Sequence, residues 1–296
     1  MTSPARPRIA CEIAASQVLA GRANESGSVV EYYTARSLPP ATVAPGLAPG
    51  NVLAAGALRD AIAGALSAAG GRSRDVVAVL PDAAVRVVLL DFETLPERAA
   101  DAAAIVRFRL KKSVPFDVEH AALSYQARRA NGSVKVVAAV ANAAVVAEYE
   151  AAFRDAGYNP GVVVPSTLAA LGLVEAATPT MVVKVEAASI TVAIAHRDEL
   201  ALFRTLEKSA GPGITGAQLA EDVYPSAVFF QDTYGARIEH VLLAGVAPLE
   251  QVASAIEQHT GARVEELVTA RRVGSSLSGD GVPRALLAGV AGALVS

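Results

Sequence analysis

Short apolar runs rich in valine, isoleucine and leucine alternate along the chain with alanine-rich stretches of helical period. Buried strands give the first pattern and amphipathic helices give the second, so the alternation indicates an α/β fold. The predicted strands are 8–13, 76–80, 84–90, 122–127, 134–140, 161–164, 181–185, 191–196, 200–206 and 240–244. The predicted helices are 53–69, 97–112, 144–156, 166–175, 215–234, 249–261 and 283–295.

The pattern at the start of the chain recurs in outline near its middle. The stretch RIACEIAASQVLA from residue 8 and the stretch MVVKVEAASITVAI from residue 181 each place a charged residue inside an apolar strand. In both, a short turn of small residues and a second strand follow. The segment EAATPT, residues 175–180, separates a helix from the second stretch and predicts a hinge there. We therefore expect two related halves with a cleft between them.

Length, net charge and cysteine content exclude several classes of protein. At 296 residues with a formal net charge of -3, the chain is long enough for about two domains and lacks the basic field that attracts nucleic acid or anionic lipid. Its one cysteine forms no internal disulfide. The longest uncharged stretch, 37–58, contains four prolines and predicts a loop, not a membrane span. The first ten residues lack the apolar core of a signal peptide, so we expect a cytoplasmic protein.

Several segments carry a resemblance to a known family. The most specific covers residues 77–126, including VAVLPDAAVRVVLLDFETLP and the KSVPF turn at 112–116. Further matches are PSTLA at 165–169, the segment 218–243 and LLAGVAGAL at 286–294. In order and spacing, these segments are similar to PilM-type proteins of type IV pilus assembly, which are relatives of FtsA and of the cytoplasmic part of the type II secretion protein GspL.

The resemblance implies an α/β, actin-like fold: two lobes of a duplicated ribonuclease H-like unit that face a nucleotide cleft. It places the first lobe at residues 1–177, with an inserted subdomain at about 78–158. The second lobe then covers residues 178–296, with a reduced helical subdomain at about 211–238.

The resemblance also implies a function. Such proteins are cytoplasmic scaffolds of a type IV pilus or a type II secretion-like machine, peripheral at the inner membrane. There they bind the cytoplasmic N-terminal tail of a PilN-type inner-membrane protein, and self-association is an open possibility. The predicted partner surface is a basic helix and the turn after it, on which Ile105 and Phe108 are expected to face inward. Its residues are Arg109, Lys111, Lys112, Pro115 and Phe116.

The first phosphate-binding turn of the family corresponds to residues 11–16, CEIAAS. Glu12 stands at the position of the family's magnesium-ordering aspartate, and Ala14 stands at that of a glycine whose amide approaches phosphate. Ser16 remains as a hydroxyl donor. This turn therefore keeps its negative charge but loses the close backbone approach.

The second turn, residues 183–191, departs further from the family pattern. Lys184 occupies the aspartate position and Glu186 the glycine position, so a cation replaces a magnesium ligand and a carboxylate lies where phosphate is expected. Ser189 and Thr191 remain as donors. In the adenosine-side motif, Gly245 is kept.

These departures predict a degenerate nucleotide site with no bound cofactor, no metal site and no catalytic residues, although enzyme activity is left open. The alternative is a functional actin-like protein that binds ATP and magnesium and whose nucleotide state switches partner binding. A further hypothesis is that Lys184 and Glu12 pair across the cleft and hold the lobes together without a ligand.

Overall fold

A computed structural model describes residues 6–130, 132–208, 213–246, 248–274 and 281–295. The strands are Ile9–Ile13 (β1), Gln17–Ala23 (β2), Val30–Ser37 (β3), Asp75–Leu80 (β4), Arg86–Phe92 (β5), Ala122–Ala130 (β6), Ser133–Ala141 (β7), Asn159–Pro165 (β8), Thr180–Val185 (β9), Ser189–His196 (β10), Glu199–Glu207 (β11), His240–Ala244 (β12) and Arg263–Glu266 (β13). The α-helices are Ala55–Ala69 (α1), Ala99–Leu110 (α2), Ala143–Asp155 (α3), Ser166–Ala170 (α4), Gly216–Tyr234 (α5), Glu250–Thr260 (α6) and Ala288–Val295 (α7).

Two five-stranded sheets share one topology. Their strand orders are β3-β2-β1-β4-β8 and β11-β10-β9-β12-β13. In each, the first three strands form an antiparallel meander, and the two remaining strands run parallel to the meander's first strand. The equivalent central strands β1 and β9 are buried almost throughout, as their apolar sequences require. The two halves predicted from the sequence repeat are therefore confirmed by the sheet topology.

An inserted subdomain separates β4 from β8. It contains a small antiparallel sheet of order β5-β7-β6 and helix α2. Strand β7 alternates strictly: Val134, Val136, Ala138 and Val140 are buried in one core with Val106 and Leu110 of α2. The intervening residues, beginning with Lys135, lie on the opposite face of the sheet.

The last helix, α7, lies between the two sheets. Its sequence AGVAGALV is buried at every position and joins one apolar cluster with residues of both lobes, including Ala10 and Val182. Close approach to α4 depends on glycine, because a Cβ at Gly292 would lie 2.0 Å from the carbonyl oxygen of Ala169. Helix α7 therefore packs against apolar residues of both halves.

The structure differs from the sequence predictions in several elements. Strands β3 and β13 were not predicted, and the helix expected at 166–175 is α4 followed by a 3-10 turn at Leu171–Leu173. The expectation that Ile105 and Phe108 face inward is wrong, because Ala102, Val106 and Leu110 form the buried side of α2. Among the described residues, no helix is long and apolar enough to cross a membrane.

Candidate functional site

An ion pair joins equivalent strands across the cleft between the lobes. Glu12 of β1 and Lys184 of β9 are both buried, and Lys184 Nζ lies 3.0 Å from Glu12 Oε1. This is the contact that the sequence hypothesis expects across the cleft. Because β1 and β9 hold the same place in the two sheets, the duplicated topology brings these side chains face to face.

Lys184 Nζ forms ion pairs with more than one carboxylate. Its Nζ also donates to Glu186 Oε1 at 2.7 Å, and Ser166 Oγ donates to Glu12 Oε1 at 2.5 Å. Burial lowers the pKa of Lys184, but the carboxylates of Glu12, Glu186 and Asp82 outweigh burial, so the net pKa lies above the ordinary value. Lys184 is therefore a permanent buried cation among acidic side chains.

Asp82 extends the cluster to the start of the inserted subdomain. Its Oδ1 accepts a hydrogen bond from the Thr167 amide at 2.9 Å, and its Oδ2 accepts one from the Thr167 hydroxyl. Its own amide donates to Glu186 Oε2 at 3.3 Å. Burial, with the adjacent Glu186 carboxylate, raises the pKa of Asp82 to about 7. The carboxyl group therefore exchanges its proton near neutral pH.

A cavity of about 330 Å³ opens beside this cluster. Four of the predicted cofactor-binding residues line it: Glu12, Ala14, Ser16 and Gly245. The other two predicted residues lie elsewhere, because Ser189 Oγ donates to Glu186 Oε2 at 3.2 Å and lines a different cavity. Thr191 is fully buried, with its hydroxyl 3.2 Å from that of Thr205.

Two backbone amides at this cavity already have acceptors within the protein. The amide of Ala14 donates to Gln17 O at 2.9 Å, and that of Gly245 donates to Ala285 O at 2.8 Å. Gly245 has a φ of +79°, and a Cβ there would lie 1.9 Å from the carbonyl oxygen of Val185. Glycine is thus required at this position by chain packing alone, whether or not a nucleotide binds.

A larger groove of about 600 Å³ lies between the inserted subdomain and both lobes. Apolar side chains from α4 and the segment after it form one wall, and the open face of the inserted sheet forms another. The apolar lining residues include Tyr125, Val137, Ala139, Leu168, Leu171, Val174 and Leu200. The resemblance implies a groove beside the inserted subdomain, but sequence analysis did not identify its residues, because its walls come from segments far apart in the chain.

An ion pair and a hydrogen bond connect the inserted subdomain to the second lobe at the rim of the groove. Lys135 Nζ lies 2.8 Å from Glu199 Oε2, and Arg128 donates to the carbonyl oxygen of Asp198 at 3.0 Å. The β10–β11 turn that provides these acceptors has positive φ at both Arg197 and Asp198, the left-handed geometry of a tight hairpin. A turn in which two residues adopt strained φ values thus forms the contact between the second lobe and the inserted subdomain.

The predicted partner-binding residues do not line the large groove. Arg109 and Lys112 are exposed, Lys111 Nζ pairs with Glu119 Oε1 at 2.7 Å, and Phe116 is half-buried against the subdomain core. Pro115 lines a separate cavity of about 560 Å³. This surface is therefore distinct from the large groove, and its role in partner binding stays a prediction.

Comparison with known proteins gives a structural match. No family model and no curated protein matches the chain. A chain of the solved PilM-PilN type IV pilus biogenesis complex has a TM-score of 0.80 and 20% identity, over 98% of each chain.

Two further solved structures are similar at lower scores. The cytoplasmic domain of EpsL, an inner-membrane component of the type II secretion system of Vibrio cholerae, has a TM-score of 0.50 and 10% identity, over 89% of this chain and 98% of that one. A Bacteroides thetaiotaomicron protein of unknown function with an actin-like ATPase fold has a TM-score of 0.50 and 8% identity, over 86% and 89%. These similarities confirm the predicted actin-like fold.

Proposed function

We propose that this protein is a PilM-like cytoplasmic scaffold of a type IV pilus or related secretion machine. In this proposal it binds the cytoplasmic tail of a PilN-type inner-membrane protein and through that partner lies at the membrane. The observation that carries the proposal is the match to a chain of the PilM-PilN complex over 98% of both chains, inserted subdomain included. Because identity is only 20%, the binding itself requires a direct test.

The large groove is the surface that best fits such a tail. It combines apolar walls with charged groups of both signs, a lining that suits a short peptide with a few apolar anchors. Strand β6 forms part of the groove and pairs only with β7 among the described strands, so one edge of β6 has unpaired backbone groups. A tail that adds to this edge would gain main-chain hydrogen bonds, and those of its side chains that point into the groove would lie on the same face of the sheet as Val137 and Ala139.

We further propose that the interlobe cavity no longer binds MgATP. Magnesium and nucleotide phosphates need acidic ligands with free valences and amides directed at the phosphates. Here Lys184 Nζ already contacts one oxygen of Glu12 and one of Glu186, and the amides of Ala14 and Gly245 donate to protein carbonyls. These residues do not fit the magnesium nucleotide, and they fit a cleft that is closed by its own side chains.

Tail binding is tested by calorimetric titration of the full chain with a peptide of the N-terminal cytoplasmic segment of the PilN-type protein from the same genome. We expect saturable binding that the groove variant Val137→Glu weakens about tenfold or more, because it places an unpaired charge in an apolar wall. Phe108→Ala, on the opposite side of the same subdomain, is the matched control and is expected to bind as the unaltered chain does. Absence of binding, or loss in the control alone, would exclude the groove as the tail site.

The nucleotide proposal is tested separately with MgATP and MgADP at millimolar concentration. We expect no heat of binding and no rise in melting temperature. Measurable binding of either nucleotide would favour the alternative of an ATP-dependent switch. Loss of that binding in Ser16→Ala would place the nucleotide in the cleft cavity.

A further inference from the structure

A cavity of about 560 Å³ lies where the two lobes meet the inserted subdomain, and we name it the junction cavity. Its walls include residues 45–48 of the first lobe, Arg86 and Pro115 of the inserted subdomain, and residues 205–208 of the second lobe. Among the described residues, it shares none with the large groove and only Lys208 with the interlobe cavity. A molecule bound in it would therefore contact three parts of the fold at once.

The wall from the first lobe is fixed by hydrogen bonds. The carboxylate of Glu148, on α3, accepts the amides of Gly50 and Asn51, each at 2.7 Å. The Asn51 side chain accepts the amide of Gly46 at 2.8 Å and donates to the carbonyl oxygen of Ala48 at 2.6 Å. Because this loop is already held in place, a ligand binds beside it without a free-energy cost for ordering the loop.

Arg86 has an unusual environment on the wall of the junction cavity. It is half-buried, and its Nε atom is buried without a hydrogen-bond acceptor among the described residues. No other lysine or arginine nitrogen of those residues is in this condition. A buried cationic donor without an acceptor lowers stability, so such groups normally meet an anion or a carbonyl oxygen. The planar fork of a guanidinium matches the two oxygens of a carboxylate or a phosphate.

A second cation lines the same cavity. Lys208 is half-buried, and its Nζ donates to the carbonyl oxygen of Ala187 at 3.3 Å. Within the described part of the chain, no carboxylate forms an ion pair with Lys208 or with Arg86. Two cations without a carboxylate partner there thus share one cavity, which favours a ligand with a negative charge.

Acidic side chains on the same walls limit the charge that such a ligand carries. Asp82 and Glu207 also line the cavity, and a phosphate with two negative charges would meet more repulsion from them than a carboxylate with one. The apolar lining, which includes Leu47, Val85 and Leu206, suits a small aliphatic group. The cavity as a whole therefore fits a singly charged organic acid better than it fits a phosphate.

We propose that the junction cavity binds a small aliphatic carboxylate. The carboxylate group accepts hydrogen bonds from Arg86 and Lys208, and the aliphatic part packs against Leu47 and Leu206. The proposal goes beyond tail binding and does not depend on it, because the junction cavity and the large groove have different walls. A bound carboxylate would add contacts between the two lobes and the inserted subdomain.

The test is calorimetric titration of the full chain with isobutyrate, with isobutyramide and with inorganic phosphate, at constant ionic strength. Isobutyramide has the shape of isobutyrate without its charge. We expect saturable binding of isobutyrate with a dissociation constant of order millimolar, as for other ligands of so few atoms. Isobutyramide and phosphate are expected to bind at least about tenfold more weakly. No binding of isobutyrate, equal binding of acid and amide, or tighter binding of phosphate would overturn the proposal.

Variants place the bound carboxylate in the junction cavity. Arg86→Met keeps the apolar stem of the side chain and removes its donors, and we expect it to weaken isobutyrate binding about tenfold or more. Lys208→Met removes the second cation and is expected to weaken binding about threefold. Arg59→Met makes the same change in charge at an exposed site outside the cavity and is expected to bind normally. Unchanged binding in both cavity variants would overturn the proposal.

Thermal melting without ligand separates a binding role of Arg86 from a structural one. Because its buried Nε has no acceptor in the described part of the chain, we expect Arg86→Met to melt at the same temperature as the unaltered chain or above it. A melting temperature several degrees lower, together with normal isobutyrate binding, would assign Arg86 a structural role and overturn the proposal. If Arg86→Met does not fold, Lys208→Met and the comparison of acid with amide decide the outcome.

Discussion

The two hairpins at the cleft, β1–β2 and β9–β10, have the same topology but carry residues of opposite charge. Glu12 is adjacent to Val79 of a parallel strand, and Lys184 is adjacent to Ala244 of the equivalent strand in the second sheet. Two acids at these positions would need a cation between them, whereas an acid and a base neutralise each other directly. The comparison shows that equivalent positions in the two halves of a duplicated fold carry opposite charges, and that these charges pair directly across the cleft.

Removal of the buried base Lys184 is expected to have the largest effect on stability. In Lys184→Met, the carboxylates of Glu12 and Glu186 lose their common cation and become buried unpaired charges. We expect the free energy of unfolding to fall by about 3–5 kcal/mol at neutral pH. Urea unfolding followed by circular dichroism measures this loss. A fall under about 1 kcal/mol would mean that the ion pair contributes little to closure.

Exchange of the two charges provides the control for this effect. Glu12→Lys and Lys184→Glu alone each place like charges together, whereas the combined variant restores an opposite pair. We expect the combined variant to be more stable than the sum of the single effects by about 1–3 kcal/mol. Additive effects would show that the two side chains do not interact across the cleft.

Two glycines that pack against the cleft hairpins, Gly245 after β12 and Gly289 in α7, give a second point of comparison. A Cβ at Gly245 meets the backbone oxygen of Val185 and requires a left-handed φ, whereas a Cβ at Gly289 meets the Glu12 carboxylate at 2.5 Å. We therefore expect Gly245→Ala to destabilise by about 3 kcal/mol and Gly289→Ala by about 1–2 kcal/mol. Thermal melting ranks the two, with Gly56→Ala, which has open space around it, as the control. Equal losses of stability in Gly245→Ala and Gly289→Ala would contradict the expectation that a backbone obstruction costs more than a side-chain one.

A smaller effect is the pH dependence that Asp82 brings to the second hairpin. Burial, with Glu186, raises the pKa of Asp82 to about 7 in the folded protein. The folded state therefore holds this proton at pH values where the unfolded chain, with a pKa near 4, has released it. The resulting stability is complete below about pH 4 and is lost as the pH rises to about 7.

The variant Asp82→Asn tests this dependence. The amide keeps an acceptor for the Thr167 backbone but does not titrate, so stability is expected to vary less between about pH 4 and 7 than in the unaltered chain. Urea unfolding at several pH values measures the slope, and Asp60→Asn, at an exposed site, serves as the control. An unchanged slope in Asp82→Asn would assign the pH dependence to other groups.

Sequence analysis identified the equivalent strands β1 and β9 because each combines an apolar run with one charged residue, Glu12 in β1 and Lys184 in β9. It missed β3, whose residues Glu31 and Arg36 interrupt the apolar pattern at a sheet edge. It placed Ile105 and Phe108 inside, because a short alanine-rich helix offers two apolar faces and only the tertiary packing selects one. It also did not identify the residues of the groove, since contacts between distant segments leave no local pattern.

The smallest expected effect concerns the turn that joins the second lobe to the inserted subdomain. Arg197 and Asp198 adopt positive φ values of 53° and 57°, which asparagine and glycine adopt more readily. Replacing the pair with Asn-Gly is expected to stabilise the protein by about 0.5–1 kcal/mol, because it relieves backbone strain while the Lys135–Glu199 pair stays in place. Urea unfolding measures the gain. The same replacement leaves the cleft untouched, so a change in the Lys184→Met effect on this background would show that the hairpin turn and the buried ion pair hold the lobes together as one coupled unit.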